Sequence, residues 1–342
     1  MRVMNTLYVR GHQARVGLQK DALVVSDPGT GWRRIPLAAL EGVVILGNAQ
    51  MSTQALARCV ECGVRVCALR RGGKLRFLVG GPVGGNVHLR LAQLRCSEDT
   101  IARAALSRTI VAGKLQNYRL LLGRWASDAK CDHRDALRVL RGRVSDRLKA
   151  LPSADTGDSI RGVEGDGTRW YLEGLAIHLA DQATEFRYSG RTRRPPRDPV
   201  NALLSFTYSL LLAEIVGALN AVGLDPQIGF LHSVRSGRSS LGLDVLEEFR
   251  PAIADRFTVR LLKLQVLRES HFLRTIGGAC FLTDEGRAIF LKEYESFKDE
   301  EVRHAAIGRR VPRWALPQIQ ATLMARHLRG DLPTYAPYLM ES

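Results

Sequence analysis

The chain has 342 residues, 45% apolar and 25% charged, which is long enough for two domains with separate cores and too apolar for a disordered protein. A formal net charge of +16 and a pI near 10.1 argue against an ordinary enzyme of small metabolites and for a polyanionic partner, nucleic acid first. No basic cluster flanks an apolar span, so no membrane partner is expected.

Residues 1–84 read as a β-rich domain. Leu7 and Val9 alternate with polar neighbours, as do Ala14, Val16 and Leu18, and 19–21 turn into the apolar run 22–25, so a meander of short strands is expected. Residues 27–31 form a second turn, 43–46 a buried strand, and Ser52 caps a helix that Gly63 ends. Residues 64–69 and 74–79 follow as strands about a turn at 70–73. The N-terminus, from Met1 to Leu7, lacks the apolar core and cleavage site of a secretory signal, so a cytoplasmic location is expected. The six cysteines then read as reduced thiols. Cys59 and Cys62 have the spacing of half a zinc site, but no second pair follows, and zinc is not expected.

The run 80–85 is rich in glycine and proline, and after it the apolar period lengthens from two to about 3.6. A domain boundary is placed there, since the run has neither the Lys-Ser/Thr of a P-loop nor a dinucleotide-binding spacing. The fold class expected is α+β, with a small β-rich domain at 1–84 and a larger all-α domain at 85–342.

From 101 to 125 apolar residues at 101, 104, 111, 115, 118, 122 and 125 form one helical stripe, with Arg103, Lys114, Arg119 and Arg124 off it. Residues 101–150 hold 12 Lys/Arg against 4 Asp/Glu, and 12 − 4 = +8 is half the net charge. The four basic residues are therefore candidates for DNA backbone contact. The loop 151–157 leads into a helix with glycines at 162, 165, 167 and 174, which cost roughly 0.5–1 kcal/mol each relative to alanine. A neighbouring helix or a substrate phosphate must therefore approach closely. Arg191, Arg193, Arg194 and Arg197 make a basic loop suited to a backbone or a strand end.

Asp198 and Pro199 open a helix, and Gly223 with Pro226 closes it, giving 199–222. Its polar residues, Asn201 and Glu214 among them, mark a core helix instead of a membrane span. The run 228–251, IGFLHSVRSGRSSLGLDVLEEFRP, places His232 after a short apolar stretch. Ser239 and Ser240 offer caps for a helix carrying Asp244, Glu247 and Glu248. Asp244 and Glu247 share a face, which is mildly destabilising unless a cation binds; a solvated acidic face is the alternative. Beyond Pro251 the chain is expected to be helical, broken by Pro312, Pro317, Pro333 and Pro337.

GFLH, a basic linker and S-L-x-x-D-x-x-E-x-F-R-P resemble the metal-site signature of the CRISPR-associated integrase, the larger subunit of the spacer-acquisition machinery. An I-x-G-x-E-G motif of that family stands here as Ile160-Arg161-Gly162-Val163-Glu164-Gly165, though Asp166-Gly167-Thr168 departs from the alanines common after it. The resemblance extends to NTLYVRG near the start and GNVHLR at 85–90, so it covers nearly the whole chain. The tail most resembles the C subtype of type I systems.

The resemblance implies Glu164, His232 and Glu247 as metal ligands, with Asp244, Arg235, Arg238, Asn201 and Tyr208 in support. Two carboxylates and one imidazole suit Mg²⁺ or Mn²⁺. It implies a metal-dependent DNA endonuclease and integrase joining 3′-OH ends of double-stranded DNA fragments into CRISPR repeat DNA. A homodimer and a small partner subunit are implied with it. A general metal-dependent nuclease or recombinase, and a non-catalytic basic DNA-binding scaffold, are the alternatives.

Overall fold

The computed structural model describes residues 5–10, 13–27, 31–46, 48–70, 75–80, 87–181, 185–188 and 190–341. Two compact units, Met1–Gly85 and Asn86–Ser342, divide the chain. The turns at 27–31 and 70–73, the run 80–85 and the start of GNVHLR lie largely outside the described residues.

In the first unit the strands are β1 (Asn5–Arg10), β2 (Arg15–Gln19), β3 (Ala22–Asp27), β4 (Gly31–Pro36), β5 (Leu40–Leu46) and β6 (Gln50–Met51). Helix α1 (Thr53–Glu61) precedes β7 (Arg65–Leu69) and β8 (Leu75–Val79). Only β2, β3 and β4 form the antiparallel meander that alternation predicts. The other sheet runs β1-β5-β7-β8, with β1, β5 and β7 parallel, so its strands are joined by crossovers that period-two patterning does not reveal. Ser52 caps α1 by accepting the Ala55 N–H at 3.2 Å, and Gly63 takes φ +72 just beyond it. Val9, Val16, Leu23, Val43, Val66, Ala55 and Cys59 fill this unit's core. Cys59 packs there as a small apolar residue, while Cys62 is exposed.

The second unit is built on α2 (Val87–Glu98), α3 (Thr100–Asp128), α4 (Cys131–Ala150), α5 (Gly157–Ala180), α6 (Pro199–Ala221) and α7 (Ser240–Phe249). A π-helical segment, Arg250–Asp255, runs into α8 (Arg256–Lys263). Periodicity missed two short hairpins, β9 (Phe272–Arg274) with β10 (Cys280–Leu282), and β11 (Glu301–His304) with β12 (Arg309–Pro312). Helix α9 (Asp284–Asp299) separates them, and α10 (Leu316–Leu328) follows. Strands of three or four residues carry too few alternations to be read.

Helix α3 departs most from expectation. Its 29 residues are not an amphipathic surface helix, for it buries Ala104, Leu106, Ile110, Lys114, Asn117, Tyr118, Leu121 and Trp125, on all sides, while Ile101 is exposed. Helices α4, α5 and α7 all pack on it. The glycines of α5 serve that packing: a Cβ at Gly167 or Gly174 would collide with Leu115 or Leu122 of α3, whereas Gly162 and Gly165 meet nothing. Asp166-Gly167-Thr168 leaves α5 unbroken. Helix α6 is long and apolar enough to cross a membrane by composition, but 67% of its apolar window is buried inside the unit.

Candidate active site

The GFLH segment is held in place from four helices. Gln93 of α2, fully buried, donates to the Asp225 and Ile228 carbonyls at 2.8 Å each. Arg103 Nε of α3 donates to Phe230 O at 2.9 Å, and Arg161 of α5 to Leu231 O at 3.3 Å. From α7, Asp244 accepts the backbone N–H groups of Phe230, Leu231 and His232 at 2.6, 3.1 and 2.9 Å. Only glycine fits at 229, since a Cβ there would lie 2.7 Å from Ser240 backbone carbon and 2.9 Å from Asp244 Oδ2. Ser239, expected to cap α7, makes no side-chain cap, and Ser240 Oγ donates instead to Ser233 O at 2.9 Å.

The three acids of α7 are buried and face three ways. Asp244 also takes His232 Nδ1 at 2.7 Å, which sets the ring so that Nε2 lies 3.9 Å from Glu247 Oε1. Glu248 turns to the C-terminal segment, where Tyr335 Oη donates at 2.5 Å and the Tyr338 N–H also donates. Glu247 faces the centre. Its Oε1 is 3.2 Å from Arg250 Nε, and its buried Oε2 pairs with the Lys114 ammonium at 2.5 Å. The same ammonium donates to Glu164 Oε1, which Thr168 Oγ1 also reaches at 2.9 Å.

Burial pushes the Glu247 carboxyl up, but Arg250, Lys114 and His232 overcome it and hold it down at about 2. Glu164 is likewise raised by burial and lowered overall by Lys114. Burial disfavours the Lys114 charge, yet Glu247 and Glu164 keep its pKa above that of an ordinary lysine. Both carboxylates are therefore ionised and the ammonium is charged.

The fold brings Glu164, His232, Asp244 and Glu247 together and places the other expected residues differently. Lys114, expected on a DNA-binding face, is buried between two acids, because α3 is central instead of superficial. Arg103 serves the GFLH segment, and the Arg124 guanidinium binds the Glu341 carbonyl; Arg119 is half-buried. Asn201 is not beside the carboxylates. Its amide accepts from Arg191 at 2.7 Å and Thr192 N at 3.0 Å, and donates to Gly190 O and Asp198, so it fastens the basic loop to α6. Arg191 is spent in that network, while Arg193, Arg194 and Arg197 are exposed. Arg235 is exposed and Arg238 partly so; the guanidinium that reaches Glu247 is Arg250's.

Tyr208 donates to Asp255 Oδ1 at 2.5 Å, and Arg250 lies over its ring at 4.8 Å, one contact from Glu247. Sequence reading missed Thr168, Arg250 and Asp255. The first two were within reach, being four and three residues after the acids they touch, where helical neighbours meet.

Among the described residues no three His, Cys, Asp or Glu side chains close round one point as a finished metal cage. The donor set nevertheless fits a hard divalent ion: two ionised carboxylates that share one ammonium, and an imidazole whose Nε2 lies 3.9 Å from Glu247 Oε1.

Two ionised carboxylates, a histidine and an arginine side by side in the helical unit form a site suited to metal-assisted phosphodiester chemistry, the class of nucleases and integrases. The pattern of the family described as "CRISPR associated protein Cas1" matches residues 7–296. A relative named "CRISPR-associated endonuclease Cas1 1", from Moorella thermoacetica, is 38% identical over 98% of both chains. One of the same kind from Rhodospirillum rubrum is 38% identical over the same shares. In fold, the chain is similar to a CAS1 protein from Thermotoga maritima, at TM-score 0.80, 23% identity and 99% of each chain. It is equally similar to a casposase bound to integration product, at TM-score 0.82, 23% identity and 99% and 96% coverage. The chain belongs to the Cas1 family, the endonucleases and integrases of CRISPR adaptation.

Proposed function

We propose that Glu164, His232 and Glu247 hold one Mg²⁺ or Mn²⁺ ion and that the chain joins 3′-OH ends of double-stranded DNA fragments into CRISPR repeat DNA. The observation that carries this reading is the Asp244–His232 pair, which fixes the ring with Nε2 toward Glu247. A carboxylate behind a histidine in this way is the usual support of a metal-bound imidazole. When bound, the ion would polarise a phosphoryl oxygen and favour deprotonation of the attacking hydroxyl.

The chain's own residues supply the rest. Arg250, its Nε 3.2 Å from Glu247 Oε1, balances one carboxylate, and Arg235 and Arg238 lie in the loop after His232, where a phosphate would enter. In joining, the attacking 3′-oxygen bonds to phosphorus and gives its proton to solvent, while the bond from phosphorus to the repeat strand's own 3′-oxygen breaks and that oxygen takes up a proton to leave as a free 3′-OH. Hydrolysis differs only in taking water as nucleophile. Binding would draw on the exposed arginines 193, 194 and 197 and on α4.

The assembly we propose is a homodimer through the first unit, acting in the cytoplasm with a small second subunit. Two solved structures of similar fold, a casposase bound to integration product and a Cas6-RT-Cas1–Cas2 complex, support DNA and a second subunit. A strand-joining assay with 3′-OH oligonucleotides and Mn²⁺ tests the reading. Joined product that disappears in Glu247→Gln is the expected result; cutting without joining would mark a general nuclease, and binding alone a scaffold.

A further inference from the structure

Among the described residues, Lys114 is the one buried cation in contact with both acids expected to hold the ion. It sits mid-way along α3, 2% exposed, its ammonium on Glu164 Oε1 and 2.5 Å from Glu247 Oε2. The Tyr118 ring, one turn on, lies 5.4 Å from it. A charge count shows the consequence. Glu164 and Glu247 contribute −2 while Lys114 and Arg250 contribute +2, so these four groups balance before any ion arrives, Asp244 being spent on His232 and the GFLH backbone.

A divalent ion brought to both acids would meet an ammonium and a guanidinium already in contact with them, and like charges crowded into a partly desolvated site repel. One resident cation must yield. Arg250 is fixed by Glu247 on one side and the Tyr208 ring on the other, and a guanidinium does not lose its proton in proteins. Lys114 instead ends a flexible four-carbon stem, and it fills the space between carboxylates from two helices where a shared ion would lie.

We infer that Lys114 occupies the divalent-ion seat in the metal-free protein and is displaced when the ion binds, so that the site loads by exchange of one cation for another. The inference rests on the metal-site reading above and adds a means of regulating it. Exchange keeps the two acids from facing each other unpaired in the metal-free fold, and it weakens ion affinity by the cost of moving the ammonium.

The test is Mn²⁺ titration, followed by electron paramagnetic resonance, of the full chain and its Lys114→Met, Lys114→Gln and Glu247→Gln variants, with melting curves in chelator and in Mn²⁺. Exchange predicts Mn²⁺ affinity at least about tenfold tighter in either Lys114 variant. It also predicts a lower melting temperature in chelator, recovered by Mn²⁺. Anomalous diffraction from Mn²⁺-soaked crystals of the unaltered chain, which depends on no variant folding, should show the ammonium off both carboxylates. Affinity unchanged or weaker in the Lys114 variants, or an ammonium still bridging both acids beside bound Mn²⁺, overturns the inference while leaving the metal site standing. Equal Mn²⁺ binding by the unaltered chain and Glu247→Gln overturns both.

Discussion

Asp244 Oδ1 accepts two hydrogen bonds from one residue, the His232 backbone N–H at 2.9 Å and its ring Nδ1 at 2.7 Å. The carboxylate therefore orients the imidazole and its backbone together, which separates its role from that of Glu247 three residues on. Asp244→Asn should weaken Mn²⁺ by only about 10–100-fold, the usual loss for a supporting carboxylate. Glu247→Gln should abolish binding and joining alike. Isothermal titration of both variants checks this; loss of metal only in the Asp244 variant would reverse the two assignments.

Much of that site was readable before the fold. Glu164, His232 and Glu247 stood in two motifs, and the shared face of Asp244 and Glu247 follows from helical spacing alone. Lys114 was misread because a basic residue off an apolar stripe normally faces water. What turns it inward is the packing of α4, α5 and α7 round α3, a long-range fact absent from local periodicity. Its spacing did hold a hint, since Lys114 lies three and four residues from the buried Val111 and Tyr118. The π-helical segment left no periodic trace either, although Pro251 within it signals a disturbed helix.

Gly229 tests whether the GFLH path sets the imidazole. A methyl group there must push against the Ser240 backbone and Asp244 at under 3 Å, so Gly229→Ala should cost about 1–3 kcal/mol in chemical unfolding. The same displacement should weaken Mn²⁺ binding, because the Phe230, Leu231 and His232 N–H groups would leave Asp244 together. Lost stability with unaltered metal affinity would show that the path does not set the ring.

The exposed arginines make an electrostatic prediction. If about six to ten phosphates are contacted, DNA affinity should fall roughly 10³–10⁵-fold between 50 and 200 mM salt. Replacing Arg193, Arg194 and Arg197 by alanine should lower the slope of log affinity against log salt by about three, near one for each phosphate released. An unchanged slope would place the contacts elsewhere, with the exposed Arg138, Arg141, Arg143 and Lys149 of α4 next in line.

Asp255 carries a prediction about pH. It is 1% exposed and accepts from Tyr171 at 2.8 Å and Tyr208 at 2.5 Å; burial raises its pKa from 3.8 to about 6 against those hydrogen bonds and the nearby Arg250 and Arg191. A carboxyl raised in the fold binds its proton more tightly there than in the unfolded chain, so its stabilisation is complete below pH 4 and is lost as pH rises through 6. A shift of about two units corresponds to on the order of 3 kcal/mol across that window. His178 opposes it in the same range: burial lowers that imidazole from 6.5 to about 4, so the unfolded chain binds the extra proton and stability rises with pH. Glu248, which burial raises from 4.5 to about 7, adds a slope of the same sign as that of Asp255, so the raw profile mixes several slopes, and the informative quantity is the difference between the unaltered chain and Asp255→Asn. The asparagine can still accept from one tyrosine and donate to the other, but it cannot titrate. Urea unfolding at intervals from pH 4 to 7 should show the variant gaining on the unaltered chain by about 3 kcal/mol over the window. Parallel profiles would mean that Asp255 titrates alike in the folded and unfolded chain.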